Sequence, residues 1–212
     1  MKPLQLDPDR AFPADPATRA AARSIYATTR GLPLVCLHGH VDAAVLADDT
    51  PFPDPASMLV TPDHYVTRLV HSAGVPLTDL GVGVDGADPR EIWRTFCRHW
   101  RLFRGTPSRF WLTHELVEVF GLDLTPSAGT ADALFDQLGE RLARPEFRPR
   151  ALFERFGIEV LATTDSPLSD LRHHKRLAAD GWGGRVIPTL RPDALVHVRH
   201  PHWRRRWPGS AS

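Results

Sequence analysis

The order of strand-like and helix-like segments in the last third of the chain constrains the fold most. Ile158-Glu159-Val160-Leu161-Ala162-Thr163 is a continuous β-branched and apolar run, the pattern of a strand buried on both faces. Leu168 to Ala179 reads as a helix ended by Gly181-Trp182-Gly183-Gly184, and Arg185 to Asp193 supplies another strand. Strand, helix, strand in that order leads to a parallel sheet. An earlier apolar run, Leu34-Val35-Cys36-Leu37, predicts a further buried strand that ends in His38-Gly39-His40.

Between these strand signals the texture is helical. From about Ala43 to Gly157 there is no convincing alternation of polar and apolar residues, only helical patterns separated by proline and glycine. Asp15-Pro16 opens a helix that runs through the alanines to about Thr29, before this region. Pro62-Asp63-His64-Tyr65 opens another, carrying Val66, Leu69 and Val70 at helical spacing. Asp88-Pro89 opens a third, whose Ile92, Trp93, Phe96, Trp100 and Phe103 form a broad apolar stripe. Helices are also predicted from Phe110 to Phe120 and from Ser127 to Leu142. The aromatic residues read as core.

Size and charge bound the possibilities. A chain of 212 residues with 42% hydrophobic content can bury one substantial core, or one core and an appendage. The formal charge of +1 gives no global field for nucleic acid or a membrane surface. No apolar run approaches the roughly 20 residues of a membrane helix, and an N-terminal stretch holding Asp7, Asp9 and Asp15 lacks the layout of a secretory signal. A cytoplasmic protein is the default, with Cys36 and Cys97 as reduced, buried thiols rather than a disulfide.

Polar residues gather where the predicted strands end: His38 and His40, Thr164 and Asp165, Arg191 and Asp193. The carboxyl ends of parallel strands are where α/β folds bind ligands. On a strand, His38 and His40 share a face with Cys36 and can grip one divalent ion, which imidazole chemistry suggests without naming. For each residue a plainer role stands beside this one. Asp63 caps a helix while His64 is exposed and Tyr65 packs; Arg191 pairs on the surface; Asp165 fixes a turn with Thr164 and Pro167. His114 packs among helices, and His173-His174, neighbours on different helix faces, make a poor chelate and are partly solvated.

The stretches CLHGHVD, DDTPFPDPASMLVTPDHYVTR, LFRGTPSRFWLTHELVEVFG, RPRALFERFGIEVLATTDSPLSDL and RVIPTLRPD resemble the uronate isomerase (glucuronate isomerase) family, a branch of the amidohydrolase superfamily. They run collinearly from about residue 30 to residue 195. The resemblance implies an α/β fold, the N-terminal part of a distorted (β/α)8 TIM-like barrel with a large all-helical insertion after the first strand. It divides the chain into an N-terminal segment with the first strand (1–42), the insertion (43–157), two further strands with their helix (158–196) and a tail (197–212).

It also implies aldose–ketose isomerisation of D-glucuronate to D-fructuronate and of D-galacturonate to D-tagaturonate. In that scheme His38 and His40 are metal ligands for a divalent ion, zinc foremost. His64 and Tyr65 are catalytic groups facing the sugar, and Arg191 holds the carboxylate of the hexuronate. The types suit the chemistry. Moving a proton between C2 and C1 passes through an enediol, whose developing negative oxygen needs a cation or donors. An arginine fork matches a carboxylate.

The chain departs from the family where it stops. A closed barrel needs eight strands, and superfamily sites draw an aspartate and an arginine from later ones. The chain is therefore expected to be a truncated N-terminal part, with residues 197–212, rich in arginine and tryptophan, read as a frameshift or premature end. Two alternatives accompany the isomerase: a metal-dependent hydrolase of the amidohydrolase type, and a non-catalytic fragment acting with a complementing C-terminal chain. A homo-oligomer is compatible with any of them.

Overall fold

The computed structural model describes residues 3–166, 168–192 and 196. The chain divides into two compact units, one built from residues 1–29 and 51–148, the other from 30–50 and 149–212. Asp193 and the stretch 197–212 lie outside the described residues, as does Pro167.

The first unit is helical, and its sequence dictates where each helix starts. After α1 (Pro16–Thr29), the segments α3 (Pro55–Leu59), α4 (His64–His71), α5 (Pro89–Arg98) and α6 (Pro107–His114) are each preceded by a side chain that accepts from backbone N–H groups of the first turn. Asp54, Asp63, Asp88 and Thr106 fill this role, and proline opens three of the four. The short helix α2 (Ala43–Asp48) belongs to the second unit. Trp93, Phe96 and Phe103 are fully buried with Leu80, Leu134 and Leu138, which puts α5 and the Trp100–Phe103 turn after it at the centre of this unit's core. Gly81 ends the turn after Leu80 at φ 75°, where a Cβ would stand 2.8 Å from Ile92 Cδ1, so both conformation and space require glycine.

Two helical details depart from the sequence expectation. Helix α7 spans Ala131–Leu142 and does not begin at Ser127. The Thr130 hydroxyl instead donates to Thr125 O at 2.7 Å, closing a turn that competes with helix. Helix α6 continues as a π-helical turn over Glu115–Val119 before Phe120 and Gly121 close it.

The second unit is a three-stranded parallel sheet in the order β1 (Leu34–Cys36), β2 (Ile158–Asp165), β3 (Arg185–Leu190). Val35 pairs with Val160, and Asp165 with Leu190. The expected parallel arrangement is present, with the apolar run of β2 in the middle and Val160 to Thr163 buried. Helices α2, α8 (Pro149–Arg155) and α9 (Arg172–Ala179) pack a small core of Leu46, Phe153, Leu161 and Leu177 against it. Arg150 closes the end of α2, donating from Nε to Leu46 O at 2.7 Å and from Nη2 to Ala47 O at 3.3 Å, and it also pairs with Asp180.

The first strand differs from its prediction. It is three residues long, and Leu34 and Val35 are 49% and 53% exposed rather than buried. Among the described residues β1 is an edge strand, paired only with β2. Helix α9 starts at Arg172, not Leu168, because Leu171 takes a left-handed conformation at φ 53°. None of the described helices is long and apolar enough to cross a membrane.

Candidate functional site at the carboxyl end of the sheet

Three chain segments of the second unit meet where the strands end. Past β1 the backbone leaves the sheet, so His38 and His40 sit in irregular structure and not on the strand that the sequence predicts. Their side chains nevertheless converge: the two Nε2 atoms are 3.1 Å apart, with the rings edge to face. Thr164 of β2 holds this segment through a 2.6 Å hydrogen bond from its hydroxyl to Gly39 O. Gly39 itself lies close to β2, where a Cβ would be 3.3 Å from Ala162 O. The glycine therefore lets the His-Gly-His segment cross the end of the neighbouring strand.

A cleft of about 550 Å³ opens beside it, walled by His40, Thr163, Thr164, Asp165 and the two histidines His173 and His174. Its most deeply set polar groups are Thr163, 2% exposed, and His174, whose side chain is 9% exposed. His174 Nε2 lies 2.8 Å from Thr163 Oγ1, which lies 2.5 Å from Asp165 Oδ2. A threonine hydroxyl has one hydrogen, and an ionised carboxylate only accepts. Thr163 donates to Asp165, so it accepts from a proton on His174 Nε2.

Both histidines of the His173-His174 pair are partly exposed, in keeping with the sequence reading, but the network gives His174 partners that this reading does not include. Its signal was present in the strand: Thr163 and Asp165 lie two residues apart, on one face, and Thr163 is a polar residue in a buried run. What the sequence does not show is that α9 packs back against that face.

The other expected site residues fall as follows. Arg191 follows β3 and is exposed; its backbone N–H donates to Asp165 O at 3.3 Å. It is not among the residues that wall the cleft. His64 and Tyr65 open α4 in the first unit, with ring centroids 4.1 Å apart. Asp63 caps the helix through Tyr65 N and Val66 N, as the plainer reading holds. Tyr65 is half exposed, stacks with Arg68 at 5.2 Å, and lines a separate cavity of about 550 Å³ with Trp111, Thr106 and Ser108. In the π-helical turn of the same unit, burial and then the charge of Asp63 push the Glu115 carboxyl up to about 7.

The sequence profile of the glucuronate isomerase family matches residues 16–207. The chain belongs to the glucuronate isomerase family. The chain is 52% identical over 207 residues to the uronate isomerase of Phenylobacterium zucineum, covering 96% of this chain and 43% of that protein. It is 56% identical over 194 residues to that of Rhizorhabdus wittichii, covering 92% and 41%. The crystal structure of glucuronate isomerase from Caulobacter crescentus superposes with a TM-score of 0.93 at 46% identity, over 97% of this chain and 44% of that one. The uronate isomerase of Thermotoga maritima gives 0.85 at 27% identity, covering 95% and 42%. The chain thus spans less than half the length of each of these relatives. The family match takes in residues 197–207, part of the stretch that the sequence reading sets apart as a tail.

The histidine pair can be tested as a metal site on its own geometry. Two nitrogens about 2.0–2.1 Å from one zinc ion at the tetrahedral angle stand roughly 3.3 Å apart. The His38–His40 separation of 3.1 Å matches such a ligand edge. Among the described residues no group of three or more His, Cys, Asp or Glu side chains is placed to hold a metal, so the pair offers two ligand positions.

Proposed function

We propose that this chain takes part in the isomerisation of hexuronates, converting D-glucuronate to D-fructuronate and D-galacturonate to D-tagaturonate. The observation that carries the reading is the convergence of His38 and His40 at the carboxyl end of a parallel sheet in a chain of the glucuronate isomerase family. In this reading the sheet is the beginning of a (β/α)8 barrel of the amidohydrolase type, and the helical unit is an insertion after its first strand. His38 and His40 would hold a divalent ion, zinc by preference, which when bound would supply a positive charge for oxygens of the sugar.

The protein's own groups do the remaining work. Thr164 fixes the backbone between the two histidines, so that both imidazoles keep one orientation. The family resemblance adds His64 and Tyr65 as catalytic groups, since an imidazole and a phenol can hold and return the proton that moves between C2 and C1, or orient the hydroxyls. Arg191, next to Asp165 at the end of β3, binds the carboxylate of the substrate with its planar fork.

The experiment is to incubate the zinc-loaded chain with D-glucuronate and follow ketose formation by carbon NMR, with binding measured calorimetrically in parallel. Formation of D-fructuronate, abolished by His38→Ala, supports the full reading. Binding without turnover confines this chain to substrate recognition. Absence of both contradicts the proposal.

A further inference from the structure

The Thr163–Asp165–His174 network has no part in the scheme above, yet it is the most deeply set polar structure in the cleft. Asp165 faces the cleft, and the structure shows one of its two oxygens, Oδ2, committed to the Thr163 hydroxyl at 2.5 Å. His174 Nε2 stands 2.8 Å from that hydroxyl and 3.6 Å from Oδ2. The hydrogen bonds run in one direction, from imidazole to threonine to carboxylate. Each link fixes the next: the helix α9 side chain sets the hydroxyl rotor, and the hydroxyl sets the rotation of the carboxylate about its last torsion. A network of this kind costs side-chain freedom and desolvation, and a plain turn after β2 does not need a largely buried histidine side chain to form.

An ionised carboxylate with about four acceptor positions retains several after accepting one hydrogen bond. Bonds from hydroxyl groups to a carboxylate are short and strong, and a rigid acceptor loses less freedom when they form. The walls around Asp165 are polar, with Thr164, Ser166 and Ser169 beside it. The ligand chemistry that fits is a chain of neighbouring hydroxyls, which supply the hydrogens that the carboxylate takes.

We infer that Asp165 binds hydroxyl groups of the sugar acid, and that His174 is a positioning residue that acts on it through Thr163. The inference rests on the hexuronate reading for the identity of the ligand, while the hydroxyl-binding role of Asp165 follows from the cleft itself. Thr163 is the middle of the network: removing its hydroxyl breaks the relayed hydrogen bond and leaves only the 3.6 Å approach of His174 Nε2 to Asp165 Oδ2.

The test measures D-glucuronate binding to the full chain by calorimetry, with neutral D-glucitol as a second probe. Asp165→Asn is expected to weaken D-glucuronate about tenfold or more, since it replaces a charged acceptor. Thr163→Val, which removes the hydroxyl at nearly constant volume, weakens it about fivefold, and Thr163→Ser restores it. His174→Gln, which keeps a donor, binds more tightly than His174→Ala.

Nitrogen NMR of the His174 ring reports the Nε2–H tautomer in the unaltered chain and a changed Nε2 signal in Thr163→Val, a response that a purely structural role would not give. Thermal midpoints within a few degrees show that the variants are folded, and the serine variant decides the matter if valine does not fold. Unchanged D-glucuronate binding in Asp165→Asn and Thr163→Val overturns the inference and leaves the hexuronate reading standing. D-Glucitol bound as tightly as D-glucuronate, with the same sensitivity to Asp165→Asn, contradicts the hexuronate reading and supports the role of Asp165. Binding of neither probe overturns both.

Discussion

The helical unit and the sheet unit solve the burial problem in different ways. The first sets an aromatic cluster from α5 and the turn that follows it at its centre, so that Trp93, Phe96 and Phe103 are almost wholly lost from solvent. The second covers the middle of its sheet but leaves apolar residues of β1 half exposed, and it places a polar cleft where the strands end. Apolar burial is the main favourable term in folding, so stability is concentrated in the helices and ligand chemistry at the sheet. Loop-borne polar groups on a packed scaffold are the usual arrangement of a binding site.

Single truncations should expose this contrast most strongly. Phe96→Ala removes a fully buried ring and is expected to cost about 3–5 kcal/mol, whereas Val35→Ala in β1 should cost less than about 1 kcal/mol. Urea unfolding followed by tryptophan fluorescence measures both. Comparable losses at the two sites would break the comparison.

A pH effect should follow from Glu115. Burial raises its carboxyl from the ordinary 4.5 to about 7, so the folded state holds a proton that the unfolded chain releases. The stability this contributes is complete below pH 4.5 and is lost as pH rises through 7. At about 1.4 kcal/mol per pH unit of separation, the whole effect is about 3 kcal/mol. Glu115→Gln should flatten the fall in stability between pH 4.5 and 7 relative to the unaltered chain. Parallel pH profiles would show that Glu115 does not titrate in this way.

Two tryptophans of the same core give a finer test. Trp93 Nε1 donates to Ala131 O at 3.1 Å, while Trp100 Nε1 is the one fully buried side-chain nitrogen or oxygen among the described residues without a hydrogen-bond partner. Trp93→Phe should cost about 1–2 kcal/mol, and Trp100→Phe should lie within about 1 kcal/mol of zero, since it removes an unsatisfied donor. The Arg109 guanidinium, 4.0 Å above the Trp100 ring, can stack on phenylalanine as well. The smallest effect concerns the thiols. Burial pushes Cys97 up to about 12, so alkylation of the folded chain near pH 8 should spare it and label the partly exposed Cys36.

These contrasts also mark what the sequence makes legible. The helices of the first unit can be read because local signals agree: a capping Asp or Thr, a proline after it, and apolar residues at helical spacing. The parallel sheet can be read from element order. Where a hydroxyl competes with the helix, as at Thr130, or a residue turns left-handed, as at Leu171, the boundary moves, because a local alternative to the helical path sets it and helical spacing does not reveal that alternative. The His38–His40 convergence was legible as a pair, although the segment that delivers it is irregular and not the strand that spacing implies. His174 was not legible in its role. Its partners are on a strand separated from it in sequence, and only the packing of α9 against β2 brings them to hydrogen-bond distance.

The measurement that tests the account most directly is a nitrogen–proton NMR map of the chain as D-glucuronate is added. The account predicts that the largest shifts fall on His38, His40, Thr164, Asp165 and His174 in the sheet unit. Shifts absent from these residues, whether the sugar leaves the spectrum unchanged or perturbs only the cavity around Trp111, would contradict the claim that the carboxyl end of the sheet is the ligand site.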